Sequence, residues 1–227
     1  MGRKADGPFD LVIFDLDGVL VDSEPISSRV TAAALTEAGM EISAAKVCDR
    51  FLGVSTASML RALEAERGCR LPASFQETLR ARILKAFEHE LAPVPGVSAV
   101  LDWLALDRCV ASSSHPERIR RSLELVGLLE RLSPHLFSAT MVSAGKPAPD
   151  LFLLAAARMA AEPSRCLVLE DSEVGIRAAK AAGMTAFGFT GASHVRPETH
   201  APRLQAAGAD AICTEMPALV GLMGRVL

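Results

Sequence analysis

The sequence lacks the features that would tie it to nucleic acid or to a membrane. It has no block of basic residues and no interleaving of basic and aromatic residues, and its formal net charge is −3. Nucleic acid and anionic membrane surfaces are therefore not expected as partners. The longest apolar stretch, Leu151 to Ala161, is interrupted by Arg158 and is far shorter than the roughly 20 residues of a membrane-spanning helix. A small-molecule substrate is the better expectation.

Paired cysteines and metal-binding histidine patterns are also missing. The odd number of cysteines and the absence of a CxxC pair indicate reduced thiols and predict a cytoplasmic protein. The cysteines are Cys48, Cys69, Cys109, Cys166 and Cys213. The histidines show no ligand spacing and no HExxH pattern, so they are interpreted as surface or structural residues. The polar segment Met1 to Gly7 does not resemble a secretion signal.

The most informative stretch is FDLVIFDLDGVLVDSE, residues 9–24. Its apolar run, Leu11 to Phe14, predicts a strand buried on both faces of a parallel sheet. Asp15 and Asp17 follow at the sheet edge where open α/β folds bind ligands, and Gly18 permits a sharp turn. The two like charges repel unless a cation or a proton lies between them, and hard oxygen ligands favour Mg²⁺. An Asp-Gly hairpin turn is the alternative, but the apolar run after it is short and leads into a helix.

The rest of the chain predicts two kinds of structure. From Pro25 to Leu91 the periodicity is helical, which indicates a small helical bundle. The predicted helices are Ser27 to Ala38, Ala44 to Phe51, Thr56 to Arg67 and Ala73 to Glu90. After Ala92, strand and helix signals alternate to the end of the chain. We predict an α/β fold, with a Rossmann-like parallel-sheet core formed by residues 1–22 and 95–227 and a small α-helical cap inserted as residues 23–94.

A second motif, VASSSHPERI, places Ser112 at the end of a predicted strand and Pro116 at the start of a helix. A hydroxyl beside the free N–H groups of a loop and helix start suits a phosphate. A plain helix cap formed by Ser114 or His115 is the alternative, and both interpretations can hold for different residues.

Two further motifs carry charge. Lys146 lies between Gly145 and Pro147 in SAGKPAPD, held in a loop, although a lone lysine is usually solvated. In CLVLEDSEVG an apolar strand again ends in acids, Glu170 and Asp171. An acidic helix start that complements the helix dipole is the alternative for this pair.

These four motifs, in this order, resemble those of the haloacid dehalogenase-like hydrolases, a superfamily of mostly Mg²⁺-dependent phosphatases and phosphomutases. The resemblance implies that Asp15 attacks phosphorus to form an aspartyl-phosphate and that Asp17 is the general acid and base. It implies that Ser112 and Lys146 hold the phosphoryl oxygens. The implied Mg²⁺ ligands are the side chains of Asp15 and Asp171, the carbonyl oxygen of Asp17, and Glu170 directly or through water. Candidate substrate-binding residues come from the motifs and the cap, namely Gly18, Arg50, Gly53, Ser112, Ser113, His115 and Lys146.

The branch of the family is narrowed by two positions. Asp17 argues against the dehalogenase and phosphonate-cleaving branches, which lack an aspartate there. A mutase resembling β-phosphoglucomutase would present basic residues around the cap-loop glycine, but the aligned positions are Leu52 and Thr56. The sequence therefore predicts a phosphatase acting on a phosphorylated small molecule, a sugar phosphate or sugar-acid phosphate, as in the 6-phosphogluconate phosphatases of the family.

The sequence leaves alternatives open for the reaction and for the cap arginines. The mutase remains an alternative, as does a non-catalytic relative that only binds phosphate. The cap arginines Arg29, Arg50 and Arg61 either bind an acidic sugar or second phosphate, or are solvated helix charges. The expected hinges of the cap are Val21 to Glu24 and Ala92 to Gly96, and the expected assembly is a monomer or weak dimer. The segment Gly191 to His200 is predicted to be a polar loop.

Overall fold

The computed structural model describes residues 7–224, and a six-stranded sheet runs through them. The strand order is β3-β2-β1-β4-β5-β6, and all neighbouring strands are parallel. The strands are Leu11–Phe14 (β1), Asp107–Ser112 (β2), Leu136–Ser138 (β3), Cys166–Glu170 (β4), Thr185–Phe189 (β5) and Ala211–Cys213 (β6). This arrangement confirms the predicted α/β fold with a Rossmann-like parallel sheet.

Strand β1 lies at the centre of the sheet because it is apolar at every position. Its four residues are fully buried. Val12 and Phe14 belong to the hydrophobic cluster on one face of the sheet, and Leu11 and Ile13 belong to the cluster on the other. The alternation follows the period of two of a strand. The carboxyl ends of β1, β2 and β4 therefore meet at one edge, directly before the polar residues of three motifs.

The sheet is covered by helices that come after residue 96 in the chain. They are Val97–Trp103 (α5), Pro116–Leu125 (α6), Leu129–Leu132 (α7), Asp150–Arg158 (α8), Glu173–Ala181 (α9), Pro197–Ala206 (α10) and Ala218–Met223 (α11). Helix α8 packs into the same cluster as Leu11 and Ile13 through Leu151 and Phe152. Apolar residues on both faces explain why the strands read as continuous hydrophobic runs.

Four helices between β1 and β2 form a separate hydrophobic cluster. They are Glu24–Glu37 (α1), Ala44–Phe51 (α2), Thr56–Arg67 (α3) and Phe75–Glu90 (α4), which together we call the four-helix cluster. In α4 the apolar residues recur every four positions, and three of them, Leu79, Ile83 and Phe87, are buried. The two connectors to the sheet run side by side, because Asp22 N–H donates to Ala92 O at 2.9 Å and Val94 N–H donates to Leu20 O at 3.0 Å.

The structure differs from the sequence prediction near the C-terminus. The segment Gly191 to His200 is a loop only as far as Arg196, because α10 begins at Pro197, a residue that fits the first turn of a helix. The short helix α7 was also not predicted. The alternating pattern of the sequence also predicts a last helix, Pro217 to Val226. The end of this helix and residues 1–6 of the polar start lie outside the described residues. No helix within residues 7–224 is long and apolar enough to cross a membrane.

Candidate active site

Three buried carboxylates meet at the central edge of the sheet. Asp15 follows β1, Glu170 ends β4 and Asp171 comes next in the chain. One oxygen from each lies within 4.8 Å of the others. They come together because β1 and β4 pair in register, with Phe14 opposite Leu169. The first and fourth motifs of the sequence therefore form one cluster.

Lys146 bridges two of these three carboxylates. Its Nζ donates to Asp15 Oδ1 and to Glu170 Oε1, both at 2.6 Å, and its side chain is 1% exposed. The other oxygen of Glu170 accepts hydrogen bonds from the N–H and hydroxyl of Ser172, both at 2.8 Å. The lysine thus neutralises part of the charge, and Glu170 is held at both oxygens.

The cluster retains more negative charge than Lys146 can balance. Burial, the neighbouring carboxylates and Lys146 act on the pKa of Asp15, and burial dominates and raises it well above the ordinary value. Burial and Glu170 likewise raise the pKa of Asp171. Asp171 Oδ2 is buried without a hydrogen-bond partner in the described structure. Hard oxygen ligands, excess negative charge and an unpaired buried oxygen all fit a divalent cation such as Mg²⁺.

Asp17 points away from the carboxylate cluster. Its Oδ1 accepts hydrogen bonds from Ser23 Oγ and Arg118, both at 2.5 Å, and its Oδ2 accepts one from Ser114 Oγ at 2.7 Å. Burial acts to raise the pKa of Asp17, but the Arg118 guanidinium and the two hydroxyls outweigh it and lower the pKa. Asp17 is therefore held in its ionised form in this arrangement.

The residues after β2 each make a different contact. Ser112 is buried, and its Oγ accepts a hydrogen bond from Ser114 N–H at 3.1 Å. Ser113 Oγ donates to the carbonyl of Gly53, in the loop between α2 and α3, at 2.8 Å. His115 is the N-cap of α6, and its Nδ1 accepts from Glu117 N–H at 3.4 Å. The helix-cap interpretation thus describes His115, while Ser112 remains beside the cluster.

Two glycines make room for the carboxylates. A Cβ at position 18 would lie 1.9 Å from Asp171 Oδ2, and Gly18 also has a φ of +78° that other residues rarely adopt. A Cβ at position 175 would lie 1.9 Å from Glu170 Oε1. Larger residues at either position would displace a carboxylate of the cluster.

A cavity of about 350 Å³ opens between the sheet edge and the four-helix cluster. It is lined by most of the predicted site residues, including Asp15, Asp17, Gly53, Ser112, Ser113, His115 and Lys146. The four-helix cluster adds Arg61 and Arg80 to its wall. Glu170, Asp171 and Gly18 lie beside it rather than in its lining.

Arg50 does not line this cavity, although the sequence nominated it as a substrate-binding residue. Its guanidinium pairs with Glu66 at 2.6 Å and lies 4.9 Å from the ring centre of Phe51, because the amphipathic turn of α2 directs it outward. It lines a second cavity between α2 and α9 instead. Arg29 pairs with Glu90 at 2.6 Å and is likewise outside the lining.

Sequence reasoning missed several residues of the site. They include Ser114 and Arg118, which help to hold Asp17, and Glu24, which lines the cavity. Arg118 is buried, and its guanidinium also contacts Ser27 of α1 at 3.0 Å and the ring of Phe87 of α4 at 5.0 Å. Helical spacing does not identify Arg118 in the sequence, because residues 118 and 122 on the buried face of α6 are both polar.

Glu24 offers a test of the electrostatics of the cavity. Burial and the nearby Asp17 raise its pKa to about 7 from 4.5. Because the folded state binds the proton more tightly than the unfolded state, ionisation lowers the stability of the wild-type protein as the pH rises from about 4.5 to 7. Without metal, we expect Glu24→Gln to raise the unfolding free energy by about 2 kcal/mol above neutral pH, allowing for partial exposure.

Thermal and urea unfolding in EDTA at several pH values would measure this difference. The difference should shrink towards zero near pH 4, where both states of the wild-type protein bind the proton. The exposed Glu41→Gln is the matched control and should show no such pH dependence. A constant difference between Glu24→Gln and the wild type at all pH values would contradict the expectation.

Comparison with known proteins agrees with the geometry. The model of the haloacid dehalogenase-like hydrolase family matches residues 9–183. A 6-phosphogluconate phosphatase of Escherichia coli is 31% identical over 192 residues, covering 84% of this chain and 87% of that protein. A fructose-1-phosphate phosphatase of E. coli is 30% identical over 180 residues, covering 77% of this chain and 93% of that protein.

A solved structure is similar over nearly the whole chain. It is the crystal structure of a conserved haloacid dehalogenase-like protein of unknown function from Agrobacterium tumefaciens. Its TM-score is 0.81 and its sequence identity 40%, with 96% of this chain and 99% of that chain covered. The chain described here belongs to the haloacid dehalogenase-like hydrolases.

Proposed function

We propose that this protein is a Mg²⁺-dependent phosphatase that hydrolyses a phosphorylated sugar or sugar acid through an aspartyl-phosphate. The observation that carries the proposal is the buried Lys146, which bonds Asp15 and Glu170 at 2.6 Å at the wall of a cavity that also contains Ser112. Phosphoryl transfer needs a nucleophile with charge neutralisation around it, and this arrangement supplies both.

The metal would be held by the carboxylates of Asp15 and Asp171, with the carbonyl oxygen of Asp17 as a further ligand. Glu170 is better suited to act through water, because Lys146 and Ser172 already occupy its two oxygens. When bound, Mg²⁺ neutralises phosphoryl oxygens and the charge of the carboxylates.

In the first step, an oxygen of Asp15 attacks phosphorus while the bond from phosphorus to the leaving sugar oxygen breaks. Asp17 gives its proton to that oxygen, and Lys146 and Ser112 bind the phosphoryl oxygens. In the second step, water attacks phosphorus and the bond to Asp15 breaks. Asp17 takes the proton of the water, which regenerates its protonated form and releases inorganic phosphate.

The contacts of Asp17 suit the second step in the position described. Arg118, Ser23 and Ser114 favour the carboxylate, which is the form that accepts a proton from water. To act as an acid, Asp17 must first bind a proton, which the ion pair with Arg118 opposes. We therefore propose that Asp17 leaves Arg118 when it protonates the leaving group.

We further propose that residues 23–94 form a cap domain over a core of residues 1–22 and 95–227. The paired connectors at Asp22 and Ala92 would be its hinge, and the Ser113 to Gly53 contact would mark the closed position. A cap of this kind excludes water and selects the substrate. A cytoplasmic location and a monomeric or weakly dimeric state remain predictions from the sequence.

The outer wall of the cavity favours an anionic group on the substrate. Arg61 and Arg80 line it from α3 and α4. Among residues 7–224, no carboxylate lies within ion-pair distance of Arg61, which donates to Ser58 Oγ at 3.0 Å. Arg80 lies 3.6 Å from the exposed carboxylate of Glu117 and 3.4 Å from Nδ1 of His115. A sugar-acid phosphate would place its carboxylate towards these guanidinium groups.

We expect Arg80→Met and Arg61→Met to raise the KM for 6-phosphogluconate by about 10- to 100-fold, because each removes a charge-assisted contact. The KM for the phosphate ester of a neutral sugar, which has no carboxylate, should change little. Steady-state kinetics with both substrates would test this. Arg50→Met and Arg29→Met, whose ion pairs lie outside the cavity, are the controls. Equal losses on both substrates would contradict selection of an acid.

The proposed activity is tested by phosphate release from a panel of sugar phosphates. The panel includes 6-phosphogluconate, fructose 1-phosphate and β-glucose 1-phosphate, each assayed with Mg²⁺ or with EDTA. Release that requires Mg²⁺ would support the phosphatase and rank its substrates. If no substrate releases phosphate, the phosphatase proposal is wrong and the protein should be assayed as a mutase. No activity in either assay would favour a phosphate-binding protein.

A further inference from the structure

A histidine outside the four motifs is buried against the carboxylate cluster. The side chain of His194 is only 5% exposed, although the segment that carries it was predicted to be a solvated loop. Both of its ring nitrogens are buried without a hydrogen-bond partner among the described residues. Buried polar atoms without a partner are unfavourable, so the packing of the loop alone does not explain why this imidazole is buried.

Asp171 is the group that the imidazole faces. His194 Nε2 lies 3.3 Å from Asp171 Oδ2, and this oxygen also has no hydrogen-bond partner. Lys146 bonds the other two carboxylates of the cluster but not Asp171. The backbone of Asp171 is fixed separately, because His200 Nε2 donates to its carbonyl oxygen at 2.5 Å. His194 is therefore the neighbour best placed to orient the Asp171 carboxylate.

The loop that carries His194 is fixed to the first motif. Ser193 N–H donates to Asp22 Oδ1 at 3.3 Å, and Val195 N–H donates to Ala192 O at 3.2 Å. A Cβ at position 18 would lie 3.0 Å from His194 Cε1, so Gly18 leaves space for the ring as well as for Asp171. The backbone of the loop is thus anchored on both sides of His194, and Gly18 leaves room for the imidazole.

We infer that His194 is a positioning residue of the metal site: a small rotation of its ring lets Nε2–H, now 3.3 Å from Asp171 Oδ2, donate to that oxygen and direct the carboxylate towards the divalent cation. A neutral imidazole protonated at Nε2 suffices for this hydrogen bond. Hydrogen bonds that orient a ligating carboxylate commonly change metal affinity by about 10- to 100-fold. The inference rests on the metal site of the proposed function.

Calorimetric titration with Mg²⁺ tests the inference without an activity assay. His194→Phe keeps a flat ring but removes the donor, and we expect its Kd for Mg²⁺ to rise by about 10- to 100-fold. His194→Gln places an amide N–H near the position of Nε2 and should restore most of the affinity. The exposed His135→Phe is the matched control and should bind Mg²⁺ as the wild-type protein does.

Thermal unfolding in EDTA shows whether each variant folds before the titrations are compared. Unchanged affinity in folded His194→Phe would overturn the role of His194 while leaving the phosphatase proposal intact. Equal losses in His194→Phe and His194→Gln would also overturn it, since shape rather than donation would then decide. Failure of the wild-type protein to bind Mg²⁺ would overturn the metal site and, with it, the role of His194.

Discussion

Asp15→Asn is expected to lower kcat by about 10⁴-fold or more, because the amide cannot act as the nucleophile and no neighbouring group replaces it. Stability should be retained. Burial and neighbouring carboxylates disfavour the charge of Asp15, and Lys146 keeps its second partner, Glu170. The measurement is phosphate release under saturating substrate, together with mass spectrometry of acid-quenched protein. The wild-type protein should carry one phosphoryl group during turnover, and the variant none.

The control for this experiment is Asp102→Asn. Asp102 is exposed in α5 and pairs with Arg131 of α7, and neither residue lines the cavity, so its replacement should leave kcat and the covalent intermediate unchanged. A variant Asp15→Asn that turns over at nearly the wild-type rate, or that still accumulates phosphoprotein, would show that another residue is the nucleophile. Loss of the folded state would be visible in its thermal unfolding.

Lys146→Met is expected to reduce both activity and stability. Without the ammonium group, Asp15 and Glu170 are left buried with no cation between them, and breaking such a pair costs about 3–5 kcal/mol. The loss of a charged group that holds the phosphoryl oxygens should lower kcat by about 10²- to 10³-fold. Urea unfolding and phosphate release measure the two effects separately.

The stability loss of Lys146→Met should depend on pH. Without the ammonium group, burial and the neighbouring carboxylates raise the pKa of Asp15 in the folded state unopposed, so the folded state binds more protons than the unfolded state and the loss grows as the pH rises. Lys180→Met is the matched control, since the pair of Lys180 with Asp210 is half exposed and should contribute about 1 kcal/mol or less. Equal stability losses in the two variants would mean that the buried ion pairs of Lys146 contribute no more to the unfolding free energy than the exposed pair of Lys180.

Much of this site could be predicted because its residues lie at strand ends. The apolar run before Asp15 and the run before Glu170 both predict buried parallel strands, and parallel strands present their carboxyl ends at one edge. The sequence therefore indicated that these acids meet. It also indicated Lys146 and Ser112 through the order of the motifs. The helices between Pro25 and Leu91 were predictable from their apolar spacing.

Other parts of the site depend on contacts that no local pattern records. Arg118 reaches Asp17 from a helix that is mostly charged, and it is buried only because α1 and α4 cover it. Arg50 looked suitable beside the loop glycine, but Glu66 in α3 pairs with it elsewhere. His194 lies in a polar segment, and its burial follows from the approach of that segment to Gly18 and Asp171. Each of these outcomes is decided by tertiary packing.

The central place of β1 also decides when the active site can form during folding. Both neighbours of β1 lie far along the chain, since Leu11 pairs with Asp107 on one side and with Cys166 on the other. Closing such long loops is entropically unfavourable and slow, so the helices between residues 24 and 90 are expected to form before the sheet closes around β1. Asp15 and Lys146 then meet only at the end. The activity of a nascent or proteolytically shortened chain should therefore not increase gradually with its length. It should appear in one step, when the sheet is complete.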